Sequence, residues 1–467
     1  MGSLGGEISA ASVNPAGLGM YKTSEFVLSP GFRFLTDKSS YRGTTTSGSA
    51  ATNFNLGTSG LVLGYTNRNG VSNAFALTVN RMANFNNTIH YKGQNNYSSF
   101  SEQYAEEFAN SGLSIDDALG SPSLSYGARM ALYTYLIDTA TVNGNVNVIG
   151  QPEKAGLVNQ ENTLKTTGGI TEIGLSLATN VQDKWYFGGT LGIPIMSYTR
   201  YQTFHESDAT GNTNNDFDSF TYQEKFTTKG AGLNLKVGAI FKPSGSLRFG
   251  LAIHTPTIYG LTNTIHASLI ARTENYTSFP QSSISSDSLD QLAGVSGNSV
   301  NYNLYTPWKF LVSGSYIFGG DSRDTRKQKG FVTADIEYTA TGSTHFQRAD
   351  DNMDASYYDD VNSTIKSYYK GTLGVRLGGE LKFNTLMARA GVAYYSNPYS
   401  DNALKADRLF LSGGVGYRDN GMFVDLAYVQ GFSRDVNFPY RLADKANTFS
   451  TLKEIGGTLV ATVGFKF

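Results

Sequence analysis

The sequence predicts an all-β chain: a 14-stranded antiparallel transmembrane β-barrel with an N-terminal periplasmic hatch and long, partly helical extracellular loops. Three observations predict it. Apolar residues alternate with period two along most of the chain, short connections alternate with long ones, and the composition is poor in charge and rich in Gly, Tyr and Phe. Of 467 residues, 16% are charged and 13% aromatic, with 52 Gly, 29 Tyr and 28 Phe. Mean hydropathy is −0.27, and no stretch nears the roughly 18 consecutive apolar residues of a spanning helix. In a barrel only every second residue meets lipid, which halves the hydropathy signal. A formal net charge of −1 offers no footprint for nucleic acid. Cysteine is absent, which excludes disulfides, thiolate metal sites and cysteine nucleophiles.

Taken in order, the chain starts with a turn-rich stretch of small residues, 1–22, around Asn14, Pro15, Ala16 and Gly17. Pro15 fixes its own φ and disfavours helix at Asn14, whose amide suits turn backbone. These four residues are expected to be the hatch turn that anchors or gates the lumen; the plainer alternative is a turn into the first strand. The barrel domain is expected over 23–467, with strands at 24–42, 52–68, 72–91, 163–180, 185–205, 218–241, 246–272, 301–318, 330–346, 368–383, 385–396, 407–418, 421–434 and 450–467. An even number is what single-chain bacterial barrels have. The Gly and Pro breaks in "FGGTLGIPIMSY" and "IHTPTIYG" are expected to kink or bulge their strands.

The last third alternates most cleanly. Leu386, Ala388, Ala390, Val392 and Tyr394 oppose Arg389 and Gly391; Met422, Val424, Leu426 and Tyr428 oppose Asp425. A polar face of Arg, Glu, Asp, Lys and Gly suits a wet interior, with the apolar face on lipid. The inward charges Arg33, Arg81, Glu172, Lys236, Arg248, Asp335, Glu337, Arg376, Glu380, Arg389 and Asp425 have both signs interleaved and are expected to form ion-pair ladders, with one Arg alternatively receiving a ligand carboxylate.

Connections such as "VQDK", "KPSGS", "NT" and "RDNG" are short, "GGDSRDTRKQKG" is intermediate, and those between them are longer. Short turns belong on the periplasmic side and long loops outside. The longest loop, about 92–162, reads as helical: Phe100, Tyr104 and Phe108 fall at i, i+4, i+8, followed by Leu124, Met130, Leu132, Tyr133, Leu136 and Ile137. Phe100, Tyr104, Phe108, Met130, Tyr133 and Leu136 are therefore candidates for a ligand groove, or else for the loop's own core. "ADDNMDASYYDD" gathers Asp350, Asp351, Asp354, Asp359 and Asp360, but without the spaced loop of an EF-hand it reads as a solvated acidic loop. His90, His205, His254, His266 and His345 are scattered without ligand or catalytic spacing. No enzyme activity, metal or cofactor is expected.

The segment "SVNPAGLGMYKTSEFVLSPGFRF" resembles the hatch and first strand of the FadL/TodX family of outer-membrane transporters. "KGAGLNLKVGAIFKPSGSLRFGLAIHTP" is similar to the family's central hairpin, and "TPWKFLVSGSYIF", "ADIEYTATG" and the tail from "GTLGVRLGGELKF" to "TVGFKF" follow its order. The resemblance spans essentially the whole chain, the loops matching in position and character only. The family's hatch is longer and follows a signal peptide, so residues 1–22 are expected to be an incomplete hatch. The resemblance implies passive uptake of hydrophobic small molecules, such as long-chain fatty acids or aromatic hydrocarbons, by a monomer in the outer membrane of a Gram-negative bacterium, surrounded by lipid and lipopolysaccharide. A ligand would be captured at the loops, pass an inner site and leave when the hatch rearranges or sideways through the wall. The alternative is a same-fold shuttle or receptor that binds secreted proteins or ligands on its loops.

Overall fold

Strand register, followed pair by pair, returns to its start: Phe26 and Phe32 near the beginning of the chain lie opposite Phe465 and Leu459 near its end. The computed structural model describes residues 1–467 except 49, 68–70, 143–144, 279–280, 295–296, 320–327 and 351–354. Its fourteen antiparallel strands are β1 (Glu25–Leu28 and Pro30–Tyr41), β2 (Ala51–Leu56 and Ser59–Thr66), β3 (Ser72–Asn84 and Asn87–Asn95), β4 (Val158–Val181), β5 (Trp185–Asp208), β6 (Ser219–Phe241) and β7 (Leu247–His254 and Ile258–Arg272), followed by the second half. That half is β8 (Ser299–Tyr305 and Lys309–Phe318), β9 (Gly330–Thr339 and His345–Arg348), β10 (Thr372–Phe383), β11 (Leu386–Tyr395), β12 (Arg408–Asp419), β13 (Met422–Asn437) and β14 (Ser450–Lys466). Each neighbours the next and β14 closes on β1, so the wall has no free edge.

Every expected span meets a strand. "IHTPTIYG" does interrupt β7, at 255–257. "FGGTLGIPIMSY" leaves β5 continuous, yet β5 loses its pairing to β6 at Ile193 and Pro194, because Pro has no N–H to donate. Most of the intermediate connection "GGDSRDTRKQKG" lies outside the described residues, as do Asp351 and Asp354 of the acidic loop.

The inside–outside pattern is inverted relative to a soluble protein. Outward Leu177, Val332, Leu381 and Val415 are exposed, whereas inward Glu25, Glu172, Lys236, Asp335 and Glu380 are buried. Apolar outside and paired charges inside is the surface that lipid demands of a barrel. No helix among the described residues is long and apolar enough to cross a membrane.

The long loop runs over 96–157, shorter than expected at both ends because β3 extends to Asn95 and β4 starts at Val158. It holds helices Glu102–Ser111, Ile115–Gly120, Tyr126–Tyr133 and Gln151–Ala155. The helical pattern is wrong for Leu136 and Ile137: the third helix ends at Tyr133, Tyr135 turns left-handed (φ 57°), and a hairpin Ile137–Val142/Asn145–Gly150 follows. Thr and Val crowd that stretch, and branched side chains favour strand.

Candidate functional site: a lumen in four levels

The N-terminal segment lies inside the barrel at the end that carries the short turns. Helix Ala10–Val13 leads to Asn14, whose Oδ1 accepts from Ala16 N–H at 3.2 Å and caps the 3₁₀ turn Pro15–Met20. The Asn14 Nδ2 also donates to the Gly2 carbonyl at 2.6 Å. Asn14, Pro15, Ala16 and Gly17 are all buried. Barrel side chains hold the segment's backbone: Thr190 Oγ1 donates to the Ala11 carbonyl at 2.9 Å, His254 Nε2 to Val13 at 2.9 Å and Ser72 Oγ to Gly19 at 2.9 Å. Glycines make the seat. Gly188 and Gly238 are opposite each other on β5 and β6, and a Cβ on Gly238 would lie 1.9 Å from Asn14 Oδ1. The Asn-Pro signal in the sequence located this turn; the facing glycines are legible only once the strands are in register.

Inward residues of β6 mark the levels of the lumen, from the loop end to the turn end: Phe220 and Tyr222, then Glu224 and Phe226, then Asn234 and Lys236, and finally Gly238 against the N-terminal segment.

At the first level the predicted groove residues fill a solid core. Phe100, Tyr104, Phe108, Met130 and Leu136 are between 0% and 7% exposed. Phe100 stacks on Phe204 at 4.3 Å and touches Tyr222 and Tyr440 at 5.4 and 5.8 Å. Tyr133, the sixth candidate, is exposed on the outside of the loop. The i, i+4, i+8 stripe was read correctly as one face; that face meets inward residues of β5–β7, so no open groove forms there. Glu206 anchors this cap, accepting from Ser99 Oγ at 2.5 Å, Phe100 N–H at 3.1 Å and Gln160 Nε2 at 2.7 Å. Outward residues of β5 turn polar past Tyr201 (Thr203, His205, Ser207), which places Glu206 above the apolar belt. Burial pushes its carboxyl up to about 7, against the pull of those three donors.

The second level is hollow. A cavity of about 520 Å³ is lined by Phe226, Ile265, Val300, Tyr302, Phe346, Tyr357 and Tyr358. Its roof is helix Ala355–Tyr368, held to β9 by Asn362, which accepts from Phe346 N–H at 2.7 Å and donates to the Phe346 carbonyl at 2.9 Å. Sequence reasoning missed this chamber. Its signal was apolar residues at inward positions of otherwise polar faces, such as Phe226 in "QEKFTTKG".

The third level is charged: a cavity of about 630 Å³ between Ser12 and Val13 of the N-terminal segment and the walls. Glu172 pairs with Lys236 and accepts from Asn234 Nδ2 at 2.9 Å. Arg376 meets Glu337 at 2.7 Å and Asp335 at 3.6 Å. Further round the wall Arg389 joins Glu380 at 2.5 Å to Asp425 at 2.9 Å. Asp335 faces Arg376 and Glu380 faces Arg389 in register on adjacent strands, whereas Glu172–Lys236 and Arg389–Asp425 each reach across one intervening strand. Arg33 stands apart, donating to the Asn84 carbonyl at 3.0 Å. Lys309 lines this cavity and makes no ion pair among the described residues. No group of three or more His, Asp or Glu able to hold a metal occurs among them.

Compared with solved structures, the chain is similar over 99% of its length, and 95% of the other's, to a FadL homologue of Pseudomonas aeruginosa (13% identity, TM-score 0.57). It is similar to the toluene transporters TodX of P. putida (12% identity, covering 99% and 94%, TM-score 0.52) and TbuX of Ralstonia pickettii (14%, covering 100% and 95%, TM-score 0.52). The chain has a FadL-type fold. At this identity the likeness is one of architecture. No family model and no curated protein sequence matches the chain.

Proposed function

We propose that this protein is an outer-membrane channel of a Gram-negative bacterium for passive uptake of hydrophobic small molecules, with residues 1–22 as its hatch. The carrying observation is the stacking of an aromatic chamber on a charged one along a single barrel axis, closed at the far end by a segment held through backbone hydrogen bonds. An apolar ligand gains by burial in the first chamber. The second favours a ligand with an acidic head, because Lys309 offers a cation that makes no ion pair among the described residues. A long-chain fatty acid fits both levels better than a neutral hydrocarbon does. The reading is consistent with the FadL homologue and toluene transporters whose fold the chain has. It needs no catalytic group.

The second reading, a receptor or shuttle working through its loops, is favoured by the solid cap over 96–157, which displays Tyr133 and Tyr135. Uptake of labelled oleate by cells that depend on this protein tests both. Uptake above a barrel-less control that falls when Phe346→Trp fills the chamber supports transport. No uptake above that control removes it, and partner capture by the cap becomes the next measurement.

A further inference from the structure

We propose that the outer wall carries a binding slot for one glycerophospholipid, on β2–β6 at the turn end. The proposal depends on the barrel's lying in a membrane and is independent of what passes through it. One outward rung crosses five strands: Leu63 faces Phe75, Phe75 faces Leu177, Leu177 faces Gly189, and Gly189 faces Val237. Four of the five project large apolar side chains; Gly189 projects none. On the next rung toward the turns, the smaller Asn73 and Thr179 lie between Tyr65 and Phe187, with Ala239 beyond Phe187. The missing bulk leaves a groove of about 800 Å³ on the lipid-facing surface. An acyl chain in it buries apolar surface on several sides, where ordinary annular lipid touches one.

The rung below supplies an interfacial step. Trp185 stacks on Phe241 at 4.3 Å; Lys184 immediately precedes Trp185 and Lys242 immediately follows Phe241, each in the adjoining turn. The turns adjoin, with Lys242 N–H donating to the Lys184 carbonyl at 2.8 Å. Lys242 is engaged by Asp183 at 2.8 Å, whereas Lys184 is exposed and has no ion pair among the described residues. A tail slot that ends at an indole and a free ammonium matches a phosphodiester head with its acyl chain. Short turns face the periplasm, and that leaflet is made of glycerophospholipid. On the inner side of the same wall, Gly188 and Gly238 abut Pro15 and Asn14, so only backbone separates the slot from the plug.

The test is native mass spectrometry of the detergent-purified barrel after incubation with dioleoyl phosphatidylglycerol. The wild type is expected to retain one lipid at detergent activation that strips the rest. Gly189→Leu fills the slot and is expected to lose that lipid. It is tolerated sterically, since a Cβ there meets nothing nearer than 3.7 Å. Lys184→Gln is expected to weaken retention about fivefold, from roughly 1 kcal/mol per interfacial lysine. Val332→Phe, on the outer face of β9, is the control and should change nothing. Equal retention by wild type and Gly189→Leu overturns the proposal, as does equal loss from Val332→Phe. If Gly189→Leu fails to fold, Gly189→Ala is read the same way with a partial loss. Oleate uptake in the same variants is scored separately.

Discussion

Along β6 and β7 a filled core and an empty chamber lie within four residues of each other. Phe220 and Tyr222 on β6, with Ala267 and Leu269 on β7, pack into the solid cap; Phe226 and Ile265, next along the same inward faces, line the hollow. The divider is charged. Glu224, held by Tyr222 Oη at 2.8 Å, pairs with Arg200, whose guanidinium lies 5.3 Å from the Phe226 ring. Both regions are aromatic and inward, so composition does not separate them. What separates them is what the loops bring. Loop 96–157 inserts Phe100, Tyr104 and Leu136 as plugs of matched shape, whereas the helix over β9 spans its space as a roof. Packed side chains resist change; a roofed void accommodates it.

The largest expected effect follows. Phe204→Ala, at 0% exposure in the filled core, should destabilise the cap by roughly 3–5 kcal/mol. Phe346→Ala, half-buried beside a void, should cost much less, because fewer contacts are lost. Hydrogen exchange of 96–157 and 355–368 in the two variants measures this. Similar losses of protection in both would erase the distinction between core and chamber.

Next comes a pH effect confined to the filled side. Glu206 has a folded pKa raised from 4.5 to about 7. Below the unfolded pKa both states are protonated and the cap has its full stability. As pH rises through 4.5 to 7 the open state ionises and the folded one resists, so stability is lost, by on the order of 3 kcal/mol in all. Glu102 adds to the shift, and Tyr41 and Tyr440 are the other titratable groups nearby. Cap protection should therefore fall between pH 4.5 and 7, and Glu206→Gln should flatten the curve. A wild-type profile already flat over that interval would refute the assignment.

On the hollow side, Asn362 makes two hydrogen bonds to the Phe346 backbone in the manner of a strand partner. Asn362→Ala should loosen the roof by about 1–2 kcal/mol. Amides of 355–368 would then exchange faster while those of 96–157 stay as they were. Coupled loosening of both would mean that the Arg200–Glu224 layer does not insulate them.

The sequence was most informative where one rule decided the outcome. Period two placed all fourteen strands, because an inward charge and an outward Leu cannot trade places in lipid. Asn14-Pro15 marked the 3₁₀ turn of the N-terminal segment for the same kind of local reason. The chamber was illegible because Phe226, Ile265, Tyr302 and Phe346 come from four strands far apart in the chain, and nothing local says that they meet. Loop 96–157 misled in the opposite way. A stripe of apolar residues shows that a face is buried, but whether a ligand or Phe204 covers it depends on residues about 100 positions away.

The smallest expected effect concerns chemistry. Lys309 faces the charged chamber and has no ion pair among the described residues, while Lys236, Arg376 and Arg389 are each paired. Lys309→Gln leaves a polar side chain only one atom shorter and removes the charge, so stability should hardly change. Uptake of oleate should fall by about fivefold, the worth of roughly 1 kcal/mol for a partly solvated charge contact. Uptake of toluene, which has no charge to receive, should be unaffected. The ratio of the two rates is the measurement, because a structural defect would lower both together. An equal fall would make Lys309 part of the wall's packing, and an unchanged ratio at wild-type rates would mean that any acidic head is met elsewhere, with Arg408 on the same cavity the next residue to replace.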